Sequence, residues 1–281
     1  MSTKRILTIQ DVSCFGQCSL TVALPILSAM GMETAIIPSA VLSTHTGGFS
    51  GYTFRDLTED LPAISAHWKK ENVAFDAFYT GYIGNKKQLD YIKNIVRNNA
   101  KEKSIFIVDP VMADNGKLYY GFDEEFVMEM RRFVEGADVL LPNLTEAAYL
   151  LKEPYVEGDY DQAYVEKTVR KLSSLSGGDV VLTGVSFEKG KLGVAAYDKA
   201  KDKVHYYFNE RIDGSFHGTG DIYASCFSGG LLRGLSLNDA ADLAVDFTLQ
   251  AIKETLPERK EHWYGVKFEQ ALPYLIKRIE K

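Results

Sequence analysis

Cysteine, cationic excess and long apolar runs are all scarce in this chain. Its three cysteines, Cys14, Cys18 and Cys226, are an odd number, and no second CxxC-type cluster exists to complete a zinc site. A disulfide scaffold is excluded, and thiols that are buried or line a pocket in a reducing cytoplasm are expected. Lys and Arg total 32 against 38 acids, a net charge of -6, and the lysines are scattered among the acids. That pattern argues against a nucleic-acid or anionic-membrane surface and favours small soluble partners. No stretch approaches the ~18 apolar residues of a membrane span. The strand-like run after Lys4-Arg5 is ended by Gln10-Asp11, too early for a signal peptide. Repeats, low-complexity tracts and Pro/Ser-rich linkers are missing too, so residues 1–281 are expected to form one domain. With 46% hydrophobic residues, such a domain can bury a large core unaided.

What is present is an alternation. Short apolar or β-branched runs at 5–9, 34–37, 75–80, 104–108, 138–141 and 179–182 read as buried strands. Between them, residues 19–30, 59–71, 85–100, 123–134 and 161–174 have helical spacing, with Asp or Asn at several N-ends. The alternation predicts an α/β fold with a central, mostly parallel sheet covered by helices on both faces. Residues 193–197 and 204–208, joined by a charged turn, predict a small antiparallel element. Helices at 221–233, 237–256 and 267–280 close the chain, and the Gly-, Ser- and Thr-rich segment 42–53 is the candidate for a mobile flap.

The stretch "HGTGDIYASCFSGG" sets Gly218, Thr219 and Gly220 directly before a helix. Free N–H groups at that helix start, added to the helix dipole, would make an anion hole that glycine lets a phosphate approach. Asp221 conflicts with an anion unless it has a task there. Accepting a proton from an attacking hydroxyl while the amides hold a transferring phosphoryl group is such a task. A helix-start charge after a glycine turn is the alternative. The GxxxxGK[ST] pattern fails at 184–192, and GxGxxG fails because Tyr223 stands where its third glycine belongs.

Further polar groups end other predicted strands. "IVDPVMADNGKLY" places Asp109 at the carboxyl end of a central strand, the rim where open parallel sheets bind ligands. Asp114 follows in a loop, so the two acids could face a Mg²⁺-nucleotide, or be solvated turn residues. In "LLPNLTEAAYLL", Asn143 and Glu146 have capping-box spacing, a structural role that does not exclude ligand work. "VLTG" brings Thr183 and Gly184 to the same rim, and "IQDVSCFG" brings Asp11. "STHTGG" offers His45 and Thr46. His45 is read as a packed or capping residue.

Taken in order, "IQDVSCFG", "LSTHTGG", "TGYIG", "DPVMAD", "PNLTE" and "HGTGD" resemble the pyridoxal/pyridoxamine kinase branch of the ribokinase-like superfamily. The resemblance spans residues 5 to about 256. It implies Mg²⁺- and ATP-dependent phosphorylation of the 5′-hydroxyl of pyridoxal, pyridoxamine or pyridoxine. By position, Asp221 matches the family's base, and Gly218, Thr219 and Gly220 match its anion hole. Asp109, Asn143, Glu146, Thr183 and Gly184 match the nucleotide side, with Asp109, Asp114 and Glu146 on the metal side. Thr46 and Tyr82 match residues that contact the B6 ring. The resemblance further implies a homodimer and, in some members, a K⁺ requirement. Asp11 departs from the pattern, falling where the family has a substrate-contacting serine. Its charge should favour a pyridinium nitrogen or a protonated 4′-amine. The departure leaves room for a hydroxymethylpyrimidine kinase of the same architecture. A B6-binding protein without transfer activity is the third reading.

Overall fold

Period-two alternation along the strands organises the molecule, which the computed structural model describes over residues 3–280. In chain order the strands are β1 (Arg5–Ser13), β2 (Glu33–Leu42), β3 (Phe54–Asp56), β4 (Phe75–Thr80), β5 (Ala100–Val108), β6 (Ala113–Asp114), β7 (Lys117–Leu118), β8 (Val139–Leu140), β9 (Asp179–Val185), β10 (Lys191–Asp198) and β11 (Lys203–Glu210). The helices are α1 (Leu20–Ala29), α2 (Leu61–Lys70), α3 (Lys86–Asn99), α4 (Glu124–Phe133), α5 (Leu144–Leu151), α6 (Gln162–Ser176), α7 (Thr219–Leu232), α8 (Leu237–Thr255) and α9 (Phe268–Ile279).

Nine strands share one sheet, ordered β11-β10-β9-β8-β5-β4-β1-β2-β3. From β2 to β9 every neighbouring pair is parallel. Successive side chains on these strands enter opposite cores, as the pleat requires. Ile6, Ala77, Tyr79, Ile107 and Val181 pack against α1, α7, α8 and α9, whereas Leu7, Phe78, Phe106, Val108 and Leu182 pack against α2 to α6. Both faces are therefore covered, which is why the sequence shows continuous apolar runs.

Helix starts follow the sequence signals. Asn85, Asp123 and Asp161 each accept an N–H bond from the third residue of the helix that follows, and Gly177 ends α6 at φ 91°. The expected antiparallel pair is present as β10–β11, and because β10 also pairs antiparallel with β9 it continues the main sheet. A separate two-stranded element does exist, but it is β6–β7, in the loop that carries Asp114.

Candidate active site

The parallel strands deliver their carboxyl ends to one edge of the sheet, and a cavity of about 900 Å³ lies there. Asp11 comes from the end of β1, Tyr82 follows β4, Asp109 follows β5, Asn143 follows β8 and Thr183-Gly184 lie near the end of β9. All of them line the cavity, together with Asp114, Glu146, Thr46 and residues 218–221. Opposite Asp11 the pairing slips: β1 advances from Gln10 to Val12 while β2 advances from Pro38 to Val41. Such a bulge re-aims the chain at a strand end.

Helix α7 begins at Thr219 with Gly218 as N-cap in the left-handed region, φ 79° and ψ 1°, and no side chain caps it. The Ile222 N–H is bonded to the Gly218 carbonyl at 3.0 Å, so the N–H groups ahead of it lack intrahelical acceptors. The two glycines have different reasons. A Cβ on Gly218 would lie 1.8 Å from the Gln17 carbonyl oxygen, so the fold itself requires this glycine. A Cβ on Gly220 would meet nothing within 4 Å. No protein contact explains the second glycine, whose missing side chain leaves room in the cavity beside the free amides.

The lining is acidic, with Asp11, Asp109, Asp114, Glu146, Glu210 and Asp221 alongside Arg211 among the residues that border the cavity. Burial pushes the Asp221 carboxyl up to about 7; the Ser19 N–H pulls against this and the Asp11 charge adds to it. Asp109 is buried and driven well above the usual carboxylate range, first by burial and then by the charges of Glu146 and Asp221. Glu146 is pushed up to about 8 by burial, although the N–H groups of Asn143, Met112 and Ala113 favour its charged form. Its carboxylate accepts the Asn143 N–H at 2.9 Å and the Met112 N–H at 3.1 Å. Asn143 in turn accepts the Glu146 N–H at 2.9 Å, completing the capping box, and its side-chain amide donates to the Ala113 carbonyl at 2.8 Å. The Thr183 hydroxyl donates to the Pro142 carbonyl at 3.4 Å.

Among the described residues no three His, Cys, Asp or Glu side chains gather closely enough to hold a metal ion by themselves. Asp114 is exposed, and its carboxylate accepts the N–H and the side-chain amide of Asn115 at 2.8 and 2.9 Å. Asp109 and Glu146 remain as a buried pair in which the charge of one raises the other. Such a pair suits Mg²⁺, which takes one or two carboxylates and completes its shell with phosphate and water.

Segment 42–53 spans the loop of a hairpin, since β2 and β3 pair antiparallel from Leu42–Phe54 to Ala40–Asp56. The Ser43 N–H bonds to the Thr53 carbonyl at 3.2 Å, and the Thr53 N–H to the Ser43 hydroxyl at 2.9 Å, closing its base. His45 Nδ1 accepts the Gly47 N–H at 3.0 Å and Nε2 lies 2.6 Å from the Tyr264 carbonyl oxygen. These partners require a neutral ring protonated on Nε2, in keeping with burial, which lowers the His45 value. Both nitrogens are used in structure. Thr46 is exposed at the cavity mouth. Tyr82 is half-buried, its hydroxyl pushed up to about 12 by burial, then by Asp11 and Tyr52.

The sequence profile of the phosphomethylpyrimidine kinase family matches residues 26–265. A pyridoxal kinase from Arabidopsis thaliana is 30% identical over 93% of this chain and 85% of its own length. The chain belongs to the pyridoxal kinases of the phosphomethylpyrimidine kinase family. Among solved structures, the pyridoxal kinase of Lactobacillus plantarum is 34% identical with a TM-score of 0.91, covering 99% of both chains. A Bacteroides thetaiotaomicron protein, provisionally described as a phosphomethylpyrimidine kinase and crystallised with pyridoxal, is 39% identical with a TM-score of 0.92, covering 98% of this chain and 96% of its own.

Several lining residues of this pyridoxal kinase family member carried no readable sequence signal. His217 stacks against His45 with ring centroids 5.1 Å apart, and Phe49 packs on His45 and Trp263 at 5.0 and 4.6 Å. The His45–His217 and Phe49–Trp263 contacts join residues far apart in sequence, and only the chain's three-dimensional path brings them together. The thiols divide: Cys226 is buried, Cys18 lines the cavity, and Cys14 is exposed, contrary to the expectation for it. Burial and then the charges of Asp221 and Asp11 hold Cys18 well above the usual thiol range, so it is a protonated wall group.

Proposed function

We propose that this chain transfers the γ-phosphoryl group of ATP to the 5′-hydroxyl of B6 vitamers, pyridoxal, pyridoxamine and pyridoxine, within a single domain. Family membership supports the substrate class. The observation that carries the chemistry is Gly220, a glycine no protein contact requires, placed beside a half-buried carboxylate and the free amides of an uncapped helix start.

Asp221 is the base. Its carboxylate takes the 5′-hydroxyl proton as that oxygen forms its bond to the γ-phosphorus, and the bond to the β,γ-bridging oxygen breaks to release ADP. A carboxyl near 7 is half-ionised close to neutral pH and is a stronger base than an ordinary aspartate. General-base help is typically ~10²–10⁴-fold, about 3–5 kcal/mol, so orientation and charge stabilisation must supply more. The N–H groups of residues 218–221 supply fixed dipoles directed at the transferring group. Asn143, Thr183 and Gly184 line the nucleotide side, and Thr46 and Tyr82 border the ring. Asp109 and Glu146, with Asp114 reaching through water, would hold Mg²⁺, which neutralises phosphate charge when bound. The 42–53 hairpin loop closes over the ring and excludes water. The reading extends to a homodimer in the cytoplasm with a K⁺ requirement, for which family membership is the support.

Asp11 is buried in the cavity wall, its carboxyl raised chiefly by burial. A buried acid at the ring site favours a cationic ligand, so the substrate preference should tilt toward pyridoxamine. ADP release measured at fixed ATP with the three vitamers and with hydroxymethylpyrimidine tests the assignment. Turnover with the vitamers supports it. Turnover with hydroxymethylpyrimidine alone makes the chain a kinase of that pyrimidine, and no ADP with any compound makes it a binding protein.

A further inference from the structure

Strand order divides the cavity lengthwise. Asp11, Tyr82 and the 42–53 loop border it from β1, β4 and the β2–β3 edge, whereas Val194 and Asn209 border it from β10 and β11, at the opposite side of the sheet. Helix α7 packs between α1, which lies on β1 and β2, and α8, which lies on β10 and β11. A phosphoryl group at the start of α7 therefore has the vitamer on one side and leaves the β10–β11 side for the rest of the nucleotide. That far end is apolar, with Val194, Phe216, Val245, Leu249 and Ile252 in its walls, and suits a flat base.

Asn209 interrupts this apolar wall, and its side chain is held in one orientation. Alternate residues of β11 turn toward α8, as the pleat requires, and each is bonded to it. His205 Nε2 lies 2.8 Å from Asp242 Oδ1, and the Tyr207 hydroxyl donates to Asp246 Oδ1 at 2.8 Å. The Asn209 side-chain amide donates to the same Asp246 oxygen at 2.8 Å. The other oxygen of Asp246 is paired with Arg278 of α9 at 2.9 Å. A carboxylate paired with an arginine only accepts, so Asn209 must present its nitrogen to it and turn its carbonyl oxygen away. The reversed amide would set oxygen against oxygen. Among the described residues no donor reaches the Asn209 carbonyl oxygen, and it is not sealed in the interior. Half-buried Asn209 thus brings an open acceptor to the border of the cavity.

We propose that Asn209 selects adenine as the base of the nucleotide, its carbonyl oxygen accepting from the 6-amino group, and that Asp246 is the positioning residue that keeps this oxygen turned to the ligand. A 6-oxo base would oppose acceptor to acceptor, losing the bond and leaving both groups unpaired. The identity of the ligand rests on the kinase reading; the orientation of the amide does not.

Inosine nucleotides carry an oxo group where adenine carries the amine, so ADP against IDP reads that one position. Both are titrated calorimetrically with Mg²⁺ present on the parent, Asn209→Leu, Asp246→Asn and His205→Ala. Phosphorylation of the vitamers by ATP and by ITP is followed in parallel, and melting temperatures confirm folding. The parent should bind ADP about tenfold or more tighter than IDP. Asn209→Leu should bring the two within about threefold by weakening ADP. In Asp246→Asn the new amide can accept or donate, so Asn209 is free to turn over, and the ratio should fall because IDP binds more tightly. Mere loosening of the fold would not improve IDP. His205→Ala removes the neighbouring strand-to-helix bond and should keep the parental ratio. A parent that binds ADP and IDP alike, or a folded Asn209→Leu that keeps the preference, overturns the selection. An unchanged ratio in Asp246→Asn, or an equal change in His205→Ala, overturns the positioning role. A preference for ADP that Asn209→Leu loses, in a parent that phosphorylates no vitamer, upholds the proposal and overturns the kinase reading. Vitamers phosphorylated equally well with ATP and ITP overturn the proposal alone, and a parent that binds neither nucleotide overturns both.

Discussion

Replacing Asp221 by Asn should make the protein more stable and nearly inactive. The carboxyl is held at about 7 against an ordinary 3.8, with burial as the main cause. A folded-state value above the unfolded one means that the folded chain holds the proton more tightly. The cost of ionisation is therefore absent below the unfolded value, grows as pH rises past 3.8, and is complete above about 7. At ~1.4 kcal/mol per pH unit the cost reaches about 4 kcal/mol at about pH 8. Solvent entering through the open cavity screens part of it, leaving about 2 kcal/mol. In a domain of this size that corresponds to about 4–8 °C in melting temperature. Asparagine keeps the shape and carries no charge at any pH, so its advantage should widen between about pH 5 and about pH 8. Turnover should fall ~10²–10⁴-fold while ATP still binds. Melting curves at both pH values, with ADP-release rates, read the two effects together. A variant that melts below the parent at the higher pH, or whose advantage does not change with pH, refutes a costly buried carboxylate at this position. Near-parental turnover removes Asp221 from the base role.

Because the base works deprotonated, kcat/KM should climb as pH rises through about 7 and then level off; a flat profile between about pH 6 and about pH 8 contradicts the assignment. Gly220→Ala should leave melting unchanged or raise it, since alanine is favoured in a helix by about 0.5–1 kcal/mol, yet reduce turnover by crowding the phosphate. Full activity in that variant would free the site of any bound anion. Gly218→Ala should lower stability by more than about 1 kcal/mol, because of both its φ of 79° and the Gln17 carbonyl, and a neutral melting temperature would mean the loop shifts easily. Asp11→Ser should lower the pyridoxamine-to-pyridoxal ratio of kcat/KM by about tenfold, and an unchanged ratio rejects a role for the charge.

Which parts of this structure can be read from the sequence follows from the range of the interaction that produces each one. Buried parallel strands and capped helices arise from neighbours within a few residues, so the six parallel strands and the starts at Asn85, Asp123 and Asp161 are legible. The capping box of Asn143 and Glu146 is legible for the same reason. Strand β3 is not, because three exposed edge residues have no alternation to show. At the site, residue types at strand ends pointed to the rim where the cavity lies, whereas the packing of His45 on His217 and of Phe49 on Trp263 had no local signature.

The two glycines of the GTGD stretch look equivalent in sequence, and the coordinates separate them. Gly218 is explained by its left-handed backbone and the Gln17 carbonyl, so its presence says nothing about a ligand. Gly220 has no such explanation, and neither does the cost of setting Asp109 and Asp221 against one cavity, each held above its ordinary value. Folding alone would favour removing these features, with alanine at 220 and amides at 109 and 221. That they are grouped along one edge of the sheet, each at a cost to stability and none with a structural return, is the pattern expected where a chain gives up stability to bind and turn over a charged substrate.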